Sequence, residues 1–210
     1  MRTLVLGGYG NFGTRICRAL AADASIELLI GGRDLRRAES LADGLGSNVN
    51  GVAIDMAAQE FSNALLHLGV ELLIHTAGPF QQQAYGVAQA AASAGAHYID
   101  LSDGRRFVCD FPQVMDATFR AAGRTAVCGA STVPALSSAV VDHLCSGWQR
   151  IDAIDTFLAP AQTSPRGKAT LAAVLSYCAE SIHVCPTGQC QPQTAPARPW
   201  YLPFAPLPPP

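Results

Sequence analysis

Val5-Leu6-Gly7-Gly8-Tyr9-Gly10-Asn11-Phe12-Gly13 lies between a short aliphatic run, Thr3 to Gly7, and an Ala- and Leu-rich stretch with helical spacing around residues 12 to 22. It carries G-x-G-x-x-G at Gly8, Gly10 and Gly13, placed where a strand gives way to a helix. In that context each glycine has a task. Gly8 permits the tight turn, Gly10 lets the backbone approach a pyrophosphate, and Gly13 lets the helix pack closely on the strand. The anion then sits on the amides and positive dipole end of a helix beginning near Asn11 or Phe12. The stretch reads as a dinucleotide-binding turn, with Tyr9, Asn11 and Phe12 as its intervening residues.

Outward from this turn, one alternation repeats to residue 130: a β-branched and aliphatic run, a turn, then a stretch with helical spacing. Strands are expected at Thr3 to Gly7, Ile26 to Ile30, Asn50 to Asp55, Glu71 to Thr76, His97 to Leu101 and Thr125 to Cys128. Helices are expected around 12–22, 34–44, 58–68, 84–94 and 111–122. Such βαβ repeats predict an α/β fold, a Rossmann-type doubly wound parallel sheet over residues 1–132. Beyond it, Pro134 to Ser146 reads as a helix, Ile151 to Leu158 as a strand and Thr170 to Ser181 as a helix. Residues 133–185 are thus expected to begin a second, incomplete α+β domain for substrate or for dimerisation. From Pro186 onward nine of the fourteen prolines occur and Arg198 is the sole charge. Proline removes backbone donors and disfavours helix before it, so 186–210 is expected to be a disordered, Pro-rich tail.

The 210 residues are 49% hydrophobic and 14% charged, against roughly 25% charged in an average soluble domain. A chain so composed can bury enough apolar surface to offset its conformational entropy. The net charge of -2 supplies no basic field for nucleic acid or an anionic membrane. The expected partner is a small-molecule substrate. Residues 72–99 carry no Asp, Glu, Lys or Arg, long enough to suggest a membrane span. Gly78-Pro79-Phe80-Gln81-Gln82-Gln83 interrupts them, which predicts strand, turn and helix. The N-terminus lacks the long apolar core of a signal peptide. The seven cysteines form no CxxC pair and sit mostly in apolar segments, as expected of reduced thiols in the cytoplasm. Cys178, His183, Cys185 and Cys190 do not match structural zinc spacing, so no metal is expected.

An NAD site places a carboxylate about 20 residues beyond the glycine motif to hold the ribose 2′-hydroxyl. Counting from Gly13 reaches Arg33, within Gly31-Gly32-Arg33-Asp34. A guanidinium there, beside small glycines that leave room for a phosphate, favours NADP over NAD. Arg36 or Arg37 can assist. A register shift of one residue would pass the ribose to Asp34, which otherwise caps the next helix. Asp55, ending the third strand, either accepts from the adenine amine or caps the next helix in turn. Thr76-Ala77-Gly78-Pro79-Phe80 ends the fourth strand and is expected to face the nicotinamide half, since ligands in open α/β sheets lie over the carboxyl ends of strands.

Together these residues resemble the NADP-binding domain of the saccharopine dehydrogenase-like family. The resemblance rests on residues 5–13, on Gly32-Arg33-Asp34, on Ala77-Gly78-Pro79-Phe80 and on Gly95-Ala96-His97-Tyr98-Ile99-Asp100-Leu101-Ser102, and extends to about residue 180. It implies an NAD(P)-dependent oxidoreductase, with hydride passing between nicotinamide and the carbon of an imine or secondary amine. It also implies that cofactor contacts fall on Gly8, Tyr9, Gly10, Asn11, Phe12, Gly13, Arg33, Asp34, Asp55, Ala77, Gly78, Pro79 and Phe80. The family's second domain is usually far longer than the stretch after Ala130, so the chain reads as a C-terminally truncated member. A non-catalytic NADP(H)-binding module, sensor or relic is the alternative.

For proton chemistry the resemblance places Asp100 beside the nicotinamide, as acceptor or amine polariser; a loop-fixing carboxylate is the other reading. His75 and His97 fall in apolar strands and read as core. Tyr85 either touches the cofactor or packs internally. Ser131 and Thr132 reach the carboxamide or cap the helix before Pro134. A short-chain dehydrogenase is excluded for want of Tyr-x-x-x-Lys, since Lys168 is the single lysine.

Overall fold

The computed structural model describes residues 1–158, 163, 167–176, 182–184 and 191–193. Six parallel strands form one sheet in the order β3-β2-β1-β4-β5-β6. They are β1 (Arg2–Leu6), β2 (Glu27–Gly32), β3 (Val49–Ala53), β4 (Leu72–His75), β5 (His97–Asp100) and β6 (Ala126–Val127). The crossovers are helices α1 (Asn11–Leu20), α2 (Leu35–Ala42), α3 (Phe61–His67), α4 (Gly86–Ser93) and α5 (Arg105–Ala122). Every expected strand and helix of this part is present, and the order reverses between β1 and β4, as in doubly wound sheets.

The strands read as continuous apolar runs because both faces of the sheet are covered. Leu4, Leu6, Leu29, Leu73 and Tyr98 face one core, which α3, α4 and α5 complete through Phe61, Leu65, Ala88, Ala91, Phe107, Phe111, Met115 and Phe119. Val5, Leu28, Ile30 and Ile74 face the other, closed by Cys17 of α1 and Ala38 and Ala42 of α2. The four residues of α5 recur every four positions, one stripe of a helix. Tyr98 stacks on Phe111 with centroids 5.9 Å apart and planes 11° from parallel.

Helix α5 begins at Arg105, six residues before its expected start, with Pro112 in its interior. A proline inside a helix removes one i→i−4 hydrogen bond and crowds the carbonyl four residues back; here the buried stripe of Phe107, Phe111, Met115 and Phe119 holds the helix against the sheet on both sides of it. Pro112 is exposed. Helix α3 is shorter than the expected 58–68, and β6 keeps two residues of the expected four.

After β6, a wide turn (Thr132–Leu136) leads into α6 (Ser137–Leu144), within the expected 134–146 helix. Ile151 to Leu158 is a correction: these eight residues form no strand and all are exposed. Their alternation supplies an apolar face, but a strand needs a ladder partner, and β6 at the sheet edge has only two residues to offer. Helix α7 (Lys168–Ser176) starts two residues before the expected 170–181, whose residues 177–181 lie outside the described residues. Ile182–Val184 (β7) pairs antiparallel with Gln191–Gln193 (β8), so three residues of the expected disordered tail are in a strand; the rest of 186–210 lies outside the described residues. No helix among the described residues is long and apolar enough to cross a membrane; residues 72–99 form β4, a turn, α4 and β5.

Candidate dinucleotide site

The turn after β1 is built on close backbone contacts. Gly7 and Gly8 both donate their N–H to the Gly31 carbonyl, at 2.8 and 3.1 Å, tying the turn to β2. Gly7 is the left-handed residue, with φ 79°, so the tight turn expected of Gly8 belongs to its neighbour. Gly8 is needed for another reason: a Cβ there would lie 2.8 Å from Ile30 Cγ2 and 2.9 Å from the Val5 carbonyl. A Cβ on Gly13 would strike the Gly7 carbonyl oxygen and lie 2.7 Å from Gly8 Cα, so α1 approaches its own turn at a distance that glycine alone permits. Gly10 faces outward, its notional Cβ meeting only the Gly7 oxygen at 3.0 Å. Gly10 also occupies the N-cap of α1, where no side chain caps the helix and no acid stands in the first turn. The positive end of α1 is left for an anion.

The turn after β4 lies against this one. A Cβ on Gly7 would be 3.2 Å from Ala77 Cβ and from Ala77 N, and Thr76 donates its hydroxyl to the Leu6 carbonyl at 2.8 Å. The two segments singled out in the sequence thus meet at the β1/β4 reversal of strand order, where ligands bind in open sheets. Gln83, which sequence reasoning missed, donates to the Ala77 and Pro79 carbonyls at 2.8 Å each; the glutamine run at 81–83 was its signal. Phe80 does not line the turn: it is buried, edge-on to His75 at 4.9 Å and to Phe107 at 5.6 Å, and anchors the loop from below.

Arg33, exposed, stands between β2 and α2. Asp34 caps α2, its Oδ1 accepting the Arg37 N–H at 3.2 Å. The expected phosphate space beside the glycines is filled. A Cβ on Gly31 would press on Leu4 and Ile54, and one on Gly32 would lie 2.5 Å from the Tyr9 hydroxyl oxygen, so the Tyr9 ring takes up the room Gly32 leaves. Asp55 accepts from the Ala57 N–H at 3.0 Å; it does not cap α3, which begins at Phe61 behind Glu60.

Asp100 ends β5 fully buried. Its Oδ1 accepts from Ser102 N at 3.0 Å, Ser102 Oγ at 2.6 Å and Gly129 N at 2.8 Å. It joins the turns after β5 and β6, the loop-fixing arrangement, and has no exposed atom with which to take a proton from a substrate. Beside it the Cys128 thiol is pushed up to about 12, chiefly by burial. Tyr85 packs inward, its hydroxyl donating to the Phe107 carbonyl at 3.1 Å. Ser131 donates to the Val133 carbonyl at 2.6 Å and caps no helix. His97, half-buried, accepts the Thr125 N–H on Nδ1 at 3.0 Å at the exposed end of β5, so it is not the core histidine expected. Among the described residues no His, Cys, Asp and Glu group could hold a metal; Cys178, Cys185 and Cys190 lie outside them.

His75, also buried, meets Tyr98 through Nδ1 at 3.1 Å. Burial depresses it from 6.5 to about 4, against a smaller opposing pull from Asp100. The unfolded chain therefore takes up a proton at higher pH than the folded one. Stability present above about pH 6.5 is expected to fall by up to about 3 kcal/mol as pH drops towards 4. Urea midpoints measured from pH 7 to 4 check this; His75→Gln should flatten that slope.

The saccharopine dehydrogenase NADP-binding domain model matches residues 3–127. The chain belongs to that family. Its first 127 residues are therefore an NADP-binding domain, and the residues present fit the cofactor: glycines where a Cβ would block the backbone, an uncapped α1 and a guanidinium after β2. Among solved structures, the chain is similar to saccharopine dehydrogenase (L-Glu forming) from Saccharomyces cerevisiae at TM-score 0.53 and 18% identity, covering 68% of this chain and 31% of that one. This family member thus spans under a third of that relative's length. Similarity extends to serine dehydrogenase from Escherichia coli at TM-score 0.46 and 15% identity, covering 61% and 81%, and to a short chain dehydrogenase/reductase family protein at 0.49 and 19%, covering 61% and 73%. No curated protein matches the sequence.

Proposed function

We propose that this protein is an NADP-dependent oxidoreductase of the saccharopine dehydrogenase-like type, acting on an imine or secondary amine or a related substrate. The observation that carries the reading is the meeting of the Gly7–Gly13 and Ala77–Pro79 turns at the β1/β4 reversal, with Arg33 at the end of the neighbouring β2. Bound there, the cofactor supplies a hydride donor or acceptor. The chain's part is to seat it: backbone of Gly8, Gly10 and Gly13 and the α1 terminus for the pyrophosphate, Tyr9, Asn11 and Phe12 around it, Arg33 and Asp34 at the ribose, Asp55 towards the adenine, Ala77, Gly78 and Pro79 at the nicotinamide. Phe80 and Asp100 serve as positioning residues beneath that edge.

Arg33→Ala is expected to weaken NADPH binding about tenfold, equivalent to about 1.4 kcal/mol, and to leave NADH within about twofold. Nicotinamide fluorescence titrations of both coenzymes check it, and equal losses would remove Arg33 from the ribose. The enzyme reading is tested by turnover with amino-acid/keto-acid pairs and secondary amines at saturating NADPH.

A second reading, an NADP(H)-binding module without catalysis, is favoured by one observation. The described chain beyond β6 closes no second core: Val133, Leu136, Val140, Leu144, Ile154 and Phe157 are all exposed. Tight NADPH binding with no turnover would select it. The same exposed row supports a homodimer through 133–185, which sedimentation over a range of concentrations would detect. A cytoplasmic location is consistent with the free thiols of Cys17, Cys109, Cys128 and Cys145.

A further inference from the structure

The Tyr9 side chain bridges the turn after β1 and the turn after β2. Its ring lies on Gly32 so closely that a Cβ there would come within 2.6 Å of Cζ. Its hydroxyl accepts the Asp34 N–H at 3.0 Å, and Asp34 is the residue that starts α2. On the ring sits a third group, the Arg37 guanidinium, 4.6 Å from the centroid. Arg36, about 100° away round the helix, has no such seat. A long arginine side chain that is already held loses less freedom on meeting an anion than a free one does.

Resting on the NADP reading above, we propose that Tyr9 is a positioning residue for coenzyme selectivity: seated on Gly32, its ring holds Arg37 at the head of α2 as the second donor, with Arg33, to the 2′-phosphate. The glycine loop then contributes to selectivity at the ribose as well as to the pyrophosphate. Gly32 is required so that the ring can come this close to β2, and Gly32→Ala acts on NADPH by displacing Tyr9.

The experiment titrates the full chain with NADPH and with NADH and reads the ratio of the two Kd values. Arg37→Ala is expected to lower the NADPH preference about five- to tenfold with NADH nearly unchanged, and Tyr9→Leu to lower the NADPH/NADH ratio by the same factor. The double variant should lose no more than either alone, because Tyr9 acts through Arg37. Tyr9→Phe keeps the ring and should keep the preference within about twofold, and Arg36→Ala should do the same. The proposal is overturned if Tyr9→Leu weakens both coenzymes equally, if Tyr9→Phe loses the preference, if Arg37→Ala leaves it intact, or if Arg36→Ala lowers it as much as Arg37→Ala does. Arg37 is exposed, so its variant tests the proposal even where a Tyr9 variant unfolds. A wild-type chain that binds neither coenzyme would instead defeat the NADP reading itself.

Discussion

Gly13→Ala is expected to lower stability by about 3 kcal/mol, the upper range for forcing one methyl into a packed site, and to weaken NADPH binding roughly a hundredfold, the scale of an ångström-sized misplacement in a positioned site. The methyl would strike backbone, the Gly7 carbonyl and the Gly8 Cα at 2.7 Å. Neither can retreat, because both amides are bonded to Gly31 and Gly8 already lies against Ile30 and Val5. Gly10→Ala separates the two effects. Its methyl meets only one oxygen, at 3.0 Å, so the fold should survive with a loss under about 1 kcal/mol, while binding falls because the methyl stands on the outward face of the turn. Urea denaturation and NADPH titration on both variants check the contrast; equal stability losses would refute it.

Asp100→Ala is expected to destabilise by about 4 kcal/mol. The carboxylate is fully buried and satisfies two buried backbone amides, Ser102 and Gly129, as well as the Ser102 hydroxyl. Each donor left without a partner costs about 1–3 kcal/mol. Asp100→Asn keeps an acceptor oxygen and should recover at least half of the loss. If Asp100→Asn instead folded like the wild type but lost all turnover, a direct proton-transfer role would be restored.

The sheet was legible because its signals are local. Apolar strands, Ala-rich crossovers and a glycine turn repeat at regular intervals, and six parallel strands admit few orders. What the residues could not reveal depended on partners distant in the chain. Gly32 reads as vacant space until the Tyr9 ring, 23 positions earlier, is found lying on it. Ile151 to Leu158 alternates like a strand, yet its ladder depended on an edge that β6 is too short to provide. Asp100 reads as catalyst or clamp from sequence alone, and the burial of its carboxylate and the amides around Oδ1 come from the turns after β5 and β6, which only the fold brings together. Helix α5 begins six residues before its expected start because its Phe107, Phe111, Met115 and Phe119 stripe packs on the core along that whole length.

The central place of β1 has a consequence during synthesis. Leu4 and Val5 pair with Leu29 and Ile30 on one side but with Leu73 and Ile74 on the other. At about 5–20 residues per second, the ribosome delivers β4 several seconds after β1. For that interval the nascent chain presents an apolar, half-paired strand edge, the template on which another chain can add. The co-translational hazard of this protein therefore lies at β1, the same strand that ends enclosed between β2 and β4.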